Sequence, residues 1–209
     1  MPNSITAVLL NYKRPENIPL LIQSIRDQSV PIDIWLVNNG EPANFDVDLM
    51  IQSDNSMKCY TRWVEASRAE TEFVFSIDDD LMFSNIRLVE LCVERMEDLP
   101  SKSIIGPYGK RMQKNERYSD GEELRLCGGE ATIIKGRMMF CRTSLVREMV
   151  TQQVVEFEDD IYLSSFADYL ECPDFFTNSV RSLPAPHSLC GQPGHKGRRN
   201  DTYKKYFGV

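Results

Sequence analysis

No stretch of this 209-residue chain approaches the ~20 consecutive apolar residues that a membrane-crossing helix needs, so no membrane span is expected. The opening MPNSITAVLLNYKRPEN has no basic flank before its short apolar run and no small-residue cleavage site, so it does not read as a secretion signal. Positive charge is in deficit: 31 acidic residues outweigh 24 basic ones, a formal −7. General nucleic-acid binding needs a basic surface to replace counterions, so that partner class is excluded. The six cysteines (Cys59, Cys92, Cys127, Cys141, Cys172, Cys190) never form a CxxC pair, and their irregular spacing suits no zinc site. Free thiols in a reducing, cytoplasmic compartment are the expectation. Internal repeats and low-complexity tracts are missing as well.

What is present is an ordinary globular composition, 42% hydrophobic and 26% charged, enough for one domain. The first eighty residues alternate between strand and helix patterns. Ile5 to Leu10 is a strand-forming run, followed by the turn Asn11 to Pro15. Pro15 suits a first helical position, and Ile18, Leu21, Ile22 and Ile25 recur at helical spacing. Ile32 to Val37 reads as a second strand, closed by Asn38-Asn39-Gly40. Leu49 to Ile51 is a weak third strand, and Tyr60 to Glu70 reads as a helix. Phe73 to Ile77 is a strong buried strand that runs into Asp78-Asp79-Asp80.

Such alternation implies an α/β fold: a central, mostly parallel sheet flanked by helices. Ligands of such sheets bind at the carboxyl ends of the strands. The loops holding Asn11 to Arg14, Asn38-Asn39 and Asp78 to Asp80 all leave strand C-termini, so they can converge on one crevice. Beyond them the pattern predicts a helix over Asn85 to Glu97 and a strand at Ser103 to Ile105. An exposed loop is expected over Gln113 to Glu123, strands at Ile133-Ile134 and Met138 to Phe140, and a helix from Glu158 to Tyr169. Residues 1–82 would form a nucleotide-binding half and 83–183 an acceptor half, with 184–209 a flexible basic tail.

Three clusters could carry chemistry. Adjacent carboxylates repel one another unless a cation neutralises them or water solvates them, and Asp78-Asp79-Asp80 follows an apolar strand. Hard oxygen donors suit Mn²⁺ or Mg²⁺, which keep coordination positions for substrate phosphates. An acidic helix start is the plainer reading of the same triplet. Glu156, Glu158, Asp159 and Asp160 either cap the following helix or place a carboxylate at a reaction centre. The tail SLCGQPGHKGRRNDTYKK offers cations that could grip a diphosphate, glycines for a closing lid, and His195 as a metal ligand or phosphate contact. A solvated C-terminus is the plainer alternative. Arg14 and Arg62 stand near the predicted ligand-facing loops.

Five segments in order, LNYKRPENIPLLIQSI, LVNNGEP, FVFSIDDDLMFS, IIKGRMMFCRTSL and EDDIYLSSF, resemble the GT-A class of nucleotide-sugar glycosyltransferases, specifically its exostosin-like branch. The resemblance implies a single Rossmann-like GT-A domain that transfers a hexose or deoxyhexose from a UDP-sugar donor to a glycan acceptor, with retention. It implies that Asp80 holds Mn²⁺, that Asp78 meets the ribose or uridine, and that Asp79 meets the sugar or the metal's water. Arg14, with Asn38 or Asn39, matches nucleotide contacts, and Arg62 matches an arginine that reaches the donor. Asp159 or Asp160 matches the acidic residue beside the anomeric carbon. Arg198 or Arg199 resembles a late arginine on the diphosphate. Two rivals remain: a sugar-phosphate nucleotidyltransferase, whose usual glycine-rich loop is missing between Leu9 and Pro15, and a non-catalytic glycan-binding domain.

Overall fold

The computed structural model describes residues 5–155, 157–185 and 193–208; Glu156, Cys190 and the tail segment 186–192 lie outside them. In chain order the elements are β1 (Ile5–Asn11), α1 (Ile18–Arg26), β2 (Asp33–Asn38), β3 (Leu49–Gln52), α2 (Thr61–Ala66), β4 (Phe73–Asp78) and β5 (Leu81–Phe83). Then come α3 (Leu88–Glu97), β6 (Ser103–Ile105), β7 (Tyr108–Arg111), β8 (Glu122–Arg125), β9 (Gly129–Glu130), β10 (Ile133–Ile134) and β11 (Met138–Arg142). The chain continues with α4 (Thr143–Val150), α5 (Asp159–Ser164), β12 (Tyr169–Cys172), β13 (Val180–Ser182) and α6 (His195–Phe207).

The central sheet has eight strands in the order β3-β2-β1-β4-β11-β6-β12-β9. Strands β3, β2, β1 and β4 run parallel, as do β6 and β12; β11 is antiparallel to both its neighbours. The α/β expectation therefore holds. Every residue of β1 is buried, because helices cover both faces of the sheet. Side chains alternate along the strand. Ile5, Ala7 and Leu9 join a core with α1 and α3, while Val8 and Leu10 join another with α2, α4 and Tyr162 of α5. After β1 the chain builds β2 and β3 on one side and then crosses to β4 on the other. The gap between β1 and β4 is thus a topological switch point, where parallel sheets open a crevice.

Several boundaries move. The first helix begins at Ile18, not at Pro15; Pro15 sits in the preceding turn, its carbonyl accepting the Ile18 N–H, and Pro19 occupies the first turn, where no N–H is needed. The helix after Tyr60 is one and a half turns long because the chain must return to β4. The expected loop 113–123 gives its last two residues to β8 and buries Tyr118. The helix from Glu158 ends at Ser164, since Tyr169 pairs with Ser103 in the sheet. The stretch expected as a flexible tail contains the 13-residue α6. Its sequence is too polar to announce a helix; Tyr203, buried against Tyr118, Ile133 and Ile161, docks it.

Candidate functional site

β1, β2 and β4 end side by side, with Asn11 beside Asn38 and Leu10 beside Asp78. That register delivers three polar loops to the switch point. Asn38 is fully buried and acts as a hub. Its Oδ1 accepts the Asn11 side-chain amide at 2.8 Å and the Gly40 N–H at 3.2 Å. Its Nδ2 donates to the Glu41 carbonyl and to Gln52 Oε1, both at 2.8 Å. Asn39 is pinned by donation to the Lys58 carbonyl at 3.1 Å. The hub shapes a cleft of about 610 Å³ lined by Asn11, Tyr12, Lys13, Asn39, Gly40 and Asp54, among others. That volume lies in the usual range for small-molecule sites.

The acid triplet follows at the end of β4, and each of its carboxylates has a different arginine as its nearest partner. Arg62 Nη1 donates to Asp78 Oδ1 at 2.7 Å. Arg14 pairs with Asp79, whose other oxygen accepts the Tyr12 N–H at 3.1 Å. Arg137 Nη2 donates to Asp80 Oδ1 at 3.0 Å. Asp79 faces inward: Asn17 donates to its carbonyl at 2.8 Å, and burial pushes its carboxyl up to about 6 against the pull of the Tyr12 N–H and Arg14. The resemblance implies a contact with the sugar or the metal's water for Asp79; its oxygens here meet Arg14 and the Tyr12 N–H.

Arg62 reaches from α2 across the crevice. Its Nε donates to Asp159 Oδ2 at 3.0 Å, and its Nη1 to the Gly136 carbonyl at 3.0 Å. Trp63 adds its indole N–H to the same Asp159 oxygen at 2.7 Å. The guanidinium is only 3% exposed, yet Asp159 and Asp78 outweigh that burial and hold it charged. Gly136 closes the frame: its N–H donates to Asp160 Oδ2 at 3.1 Å. A Cβ there would lie 2.8 Å from Arg62 Nη2 and 3.3 Å from Asp160 Cβ, so a side chain would force both residues to shift.

Asp160 is gripped by Arg199 of α6, with Nη2 to Oδ2 at 2.7 Å and Nη1 to Oδ1 at 3.1 Å. Burial alone would raise its carboxyl, but the Arg199 charge and hydrogen bonds hold it below the usual range. Arg199 also donates to Glu158 at 2.6 Å. Glu158 precedes α5 in the left-handed region, φ 58°, where a side chain costs about 1–3 kcal/mol. Burial pushes its carboxyl up to about 7, against Arg199. Lys13, in the loop after β1, has a similar φ of 65°. Both strained residues stand at the crevice.

The structure thus links Arg14, Asn38, Asn39, Arg62, Asp78, Asp79, Asp80, Asp159, Asp160 and Arg199 around one crevice. The other two sit differently from expectation. His195 lies at the start of α6 with Nδ1 3.7 Å from Glu158 Oε1, and burial, with Arg199 and Arg198 nearby, shifts its pKa down from the ordinary value. Among the described residues, no group of three or more His, Cys, Asp or Glu side chains forms a metal cage. Arg198 lies over the Phe157 ring, 3.8 Å from Glu158 Oε1. Arg199 meets carboxylates where the resemblance implies a diphosphate contact. Asn11, Asn17, Trp63, Gly136 and Arg137 were not singled out by the sequence as site residues. For Arg137 and Gly136 a signal existed, their place just before a strand in a segment carrying the resemblance.

A hard divalent ion needs only one or two carboxylates beside phosphate oxygens. Asp78 and Asp80 take their arginine hydrogen bonds on Oδ1, which leaves each a second carboxylate oxygen; that of Asp80 lies 3.9 Å from Arg14 Nη1. The donor chemistry fits such an ion.

No known family's sequence pattern matches the chain, and neither does any curated protein. Solved structures do. S. aureus TarS 1–349 in complex with UDP aligns over 98% of this chain and 70% of its own, with TM-score 0.62 and 13% identity. The complex of the same fragment with UDP-GlcNAc aligns over 98% and 71%, with TM-score 0.59 and 12% identity. The mannosyltransferase PcManGT from Pyrobaculum calidifontis, in complex with GDP-Man and Mn²⁺, aligns over 89% and 58%, with TM-score 0.61 and 13% identity. The chain spans between 43% and 71% of the lengths of its structural neighbours. At such identities the likeness concerns the fold, which is that of glycosyltransferases crystallised with nucleotide sugars.

Proposed function

We propose that this chain is a nucleotide-sugar glycosyltransferase of the exostosin-like branch. It moves a hexose or deoxyhexose from a UDP-sugar to a glycan acceptor with retention at the anomeric carbon. One observation carries the reading. Arg62 ties the strand-end triplet to the α5 carboxylates beside a nucleotide-sized cleft, so that carboxylates of both walls and a buried guanidinium stand together in the crevice. Glycosyl transfer needs charges of both signs: negative charge grows on the departing diphosphate and positive charge on the sugar.

The nucleoside lies in the cleft beside Asn11, Tyr12, Asn39 and Gly40, and Arg14 steadies the loop beneath it through Asp79. Asp80, with Asp78, would hold Mn²⁺ or Mg²⁺, which neutralises charge on the diphosphate when bound. Asp160 is kept ionised by Arg199, so it stabilises or attacks the sugar cation; it does not donate a proton. Arg198 turns from Glu158 toward the diphosphate, while Arg199 stays on Asp160 and keeps it an anion facing the sugar. α6 then shields the donor and excludes water.

The test is calorimetry with UDP, with and without Mn²⁺, followed by transfer assays of Asp80→Ala and Asp160→Ala. Mn²⁺-dependent UDP binding and loss of transfer in both variants are expected. Full transfer by both variants overturns the site assignment, and UDP binding indifferent to Mn²⁺ overturns the metal's place in it.

A further inference from the structure

Arg137 is the arginine of the triplet that stands apart from the other two. β11 runs antiparallel beside β4, with Met138 opposite Ile77. The residue before Met138 therefore comes level with the end of β4, where the Arg137 carbonyl accepts the Asp78 N–H at 2.8 Å. That backbone contact fixes where the side chain starts, and the guanidinium then reaches one residue past the neighbouring carboxylates. Nη2 lies 3.0 Å and Nε 3.3 Å from Asp80 Oδ1, so both nitrogens crowd one oxygen.

Arg62 is 3% exposed and bound by two carboxylates and a carbonyl. Arg14 is 11% exposed. Arg137 is 30% exposed, and beyond Asp80 it has a 3.4 Å contact to Ser182 Oγ and the Tyr108 ring, 4.6 Å from its guanidinium carbon. Asp80, at 13% exposure, is too buried to sit charged without a partner at little cost. Arg14 Nη1, 3.9 Å from Asp80 Oδ2, is a second and more distant cation; the Arg137 pair is the closer of the two and is exposed enough to exchange.

A divalent ion at Asp80 and a guanidinium at Asp80 compete for the same carboxylate and repel each other. A diphosphate removes that conflict, because it offers Arg137 a bidentate anion within the same crevice. We propose that Arg137 is a placeholder cation: it neutralises Asp80 in the empty site, suppresses metal binding there, and transfers to the donor diphosphate as the metal enters. Metal and nucleotide then bind cooperatively, each favouring the other by the same factor. The inference rests on the nucleotide-sugar reading above and adds a positioning residue to it.

The experiment titrates Mn²⁺ alone into the protein, followed by electron paramagnetic resonance of the free ion, in wild type, Arg137→Gln and Arg137→Lys. Arg137→Gln is expected to bind Mn²⁺ about tenfold tighter than wild type without nucleotide, at the low end of ordinary site-to-site coupling. Arg137→Lys, which keeps the charge, is expected to stay near wild type. The factor by which Mn²⁺ tightens UDP binding should shrink in Arg137→Gln. Thermal unfolding of each variant checks that the fold is kept. Equal or weaker Mn²⁺ binding by a folded Arg137→Gln, with Mn²⁺-dependent UDP binding intact in wild type, overturns this inference alone. No Mn²⁺ binding by any form, even with UDP, overturns it together with the metal's place in the proposed function.

Discussion

Arg62 and Asp159 stand 97 residues apart in the chain, yet two guanidinium nitrogens converge on one buried Asp159 oxygen, Nε at 3.0 Å and Nη2 at 2.9 Å. The same arginine binds Asp78. Two like charges from opposite walls of the crevice are therefore held near each other by one cation that cannot leave without exposing both.

Removing that cation should be costly. Arg62→Ala leaves buried carboxylates unpaired, and breaking a buried ion pair typically costs about 3–5 kcal/mol. Urea denaturation should show a loss of that order, with Arg62→Lys recovering part of it because a point charge cannot replace the fork. A variant within about 1 kcal/mol of wild type would mean that the pairing has no structural weight.

Gly136→Ala introduces the Cβ that meets Arg62 Nη2 at 2.8 Å and Asp160 Cβ at 3.3 Å. The expected result is about 1–3 kcal/mol of destabilisation from overpacking. A fall in transfer rate should accompany it, measured at saturating donor, since both walls of the site shift.

Asn38→Ala deletes a hub that serves four partners. Each partner left buried without a hydrogen bond costs about 1–3 kcal/mol unless water enters. Calorimetry is expected to show UDP affinity reduced by about tenfold or more as the cleft loses its shape, which corresponds to ~1.4 kcal/mol.

Glu158 predicts a pH dependence of stability. Burial raises its carboxyl from 4.5 to about 7 in the folded protein. A raised acid binds more protons folded than unfolded, so its contribution is fully present below pH 4.5 and is lost as pH rises through about 7. Glu158→Gln should flatten that part of the curve of urea midpoint against pH. Asp160, held below its ordinary value by Arg199, acts in the opposite sense and loses its contribution only as pH falls into the acid range.

The first four parallel strands and the order of the loops after them were legible because they are local. An apolar run such as Phe73 to Ile77 ending in three aspartates can be read without knowing its neighbours, and it became β4 with the triplet at its end. Alternation of strand and helix was enough to imply the parallel sheet, and a parallel sheet is enough to place Asn11, Asn38 and Asp78 on one edge. Pairing across the crevice was not local. That β11 enters antiparallel beside β4 decides that Arg137 meets Asp80 and that a side chain at 136 would press on Arg62 and Asp160. The polar pattern of 195–207 carries no helical periodicity of apolar residues; Tyr203 in its pocket and Arg199 on Asp160 make it a docked helix. The sequence by itself determined which charges are present and which strand ends carry them. Tertiary structure decided which charges neutralise one another, because an ion pair depends on a few ångströms between residues that the chain separates by dozens of positions.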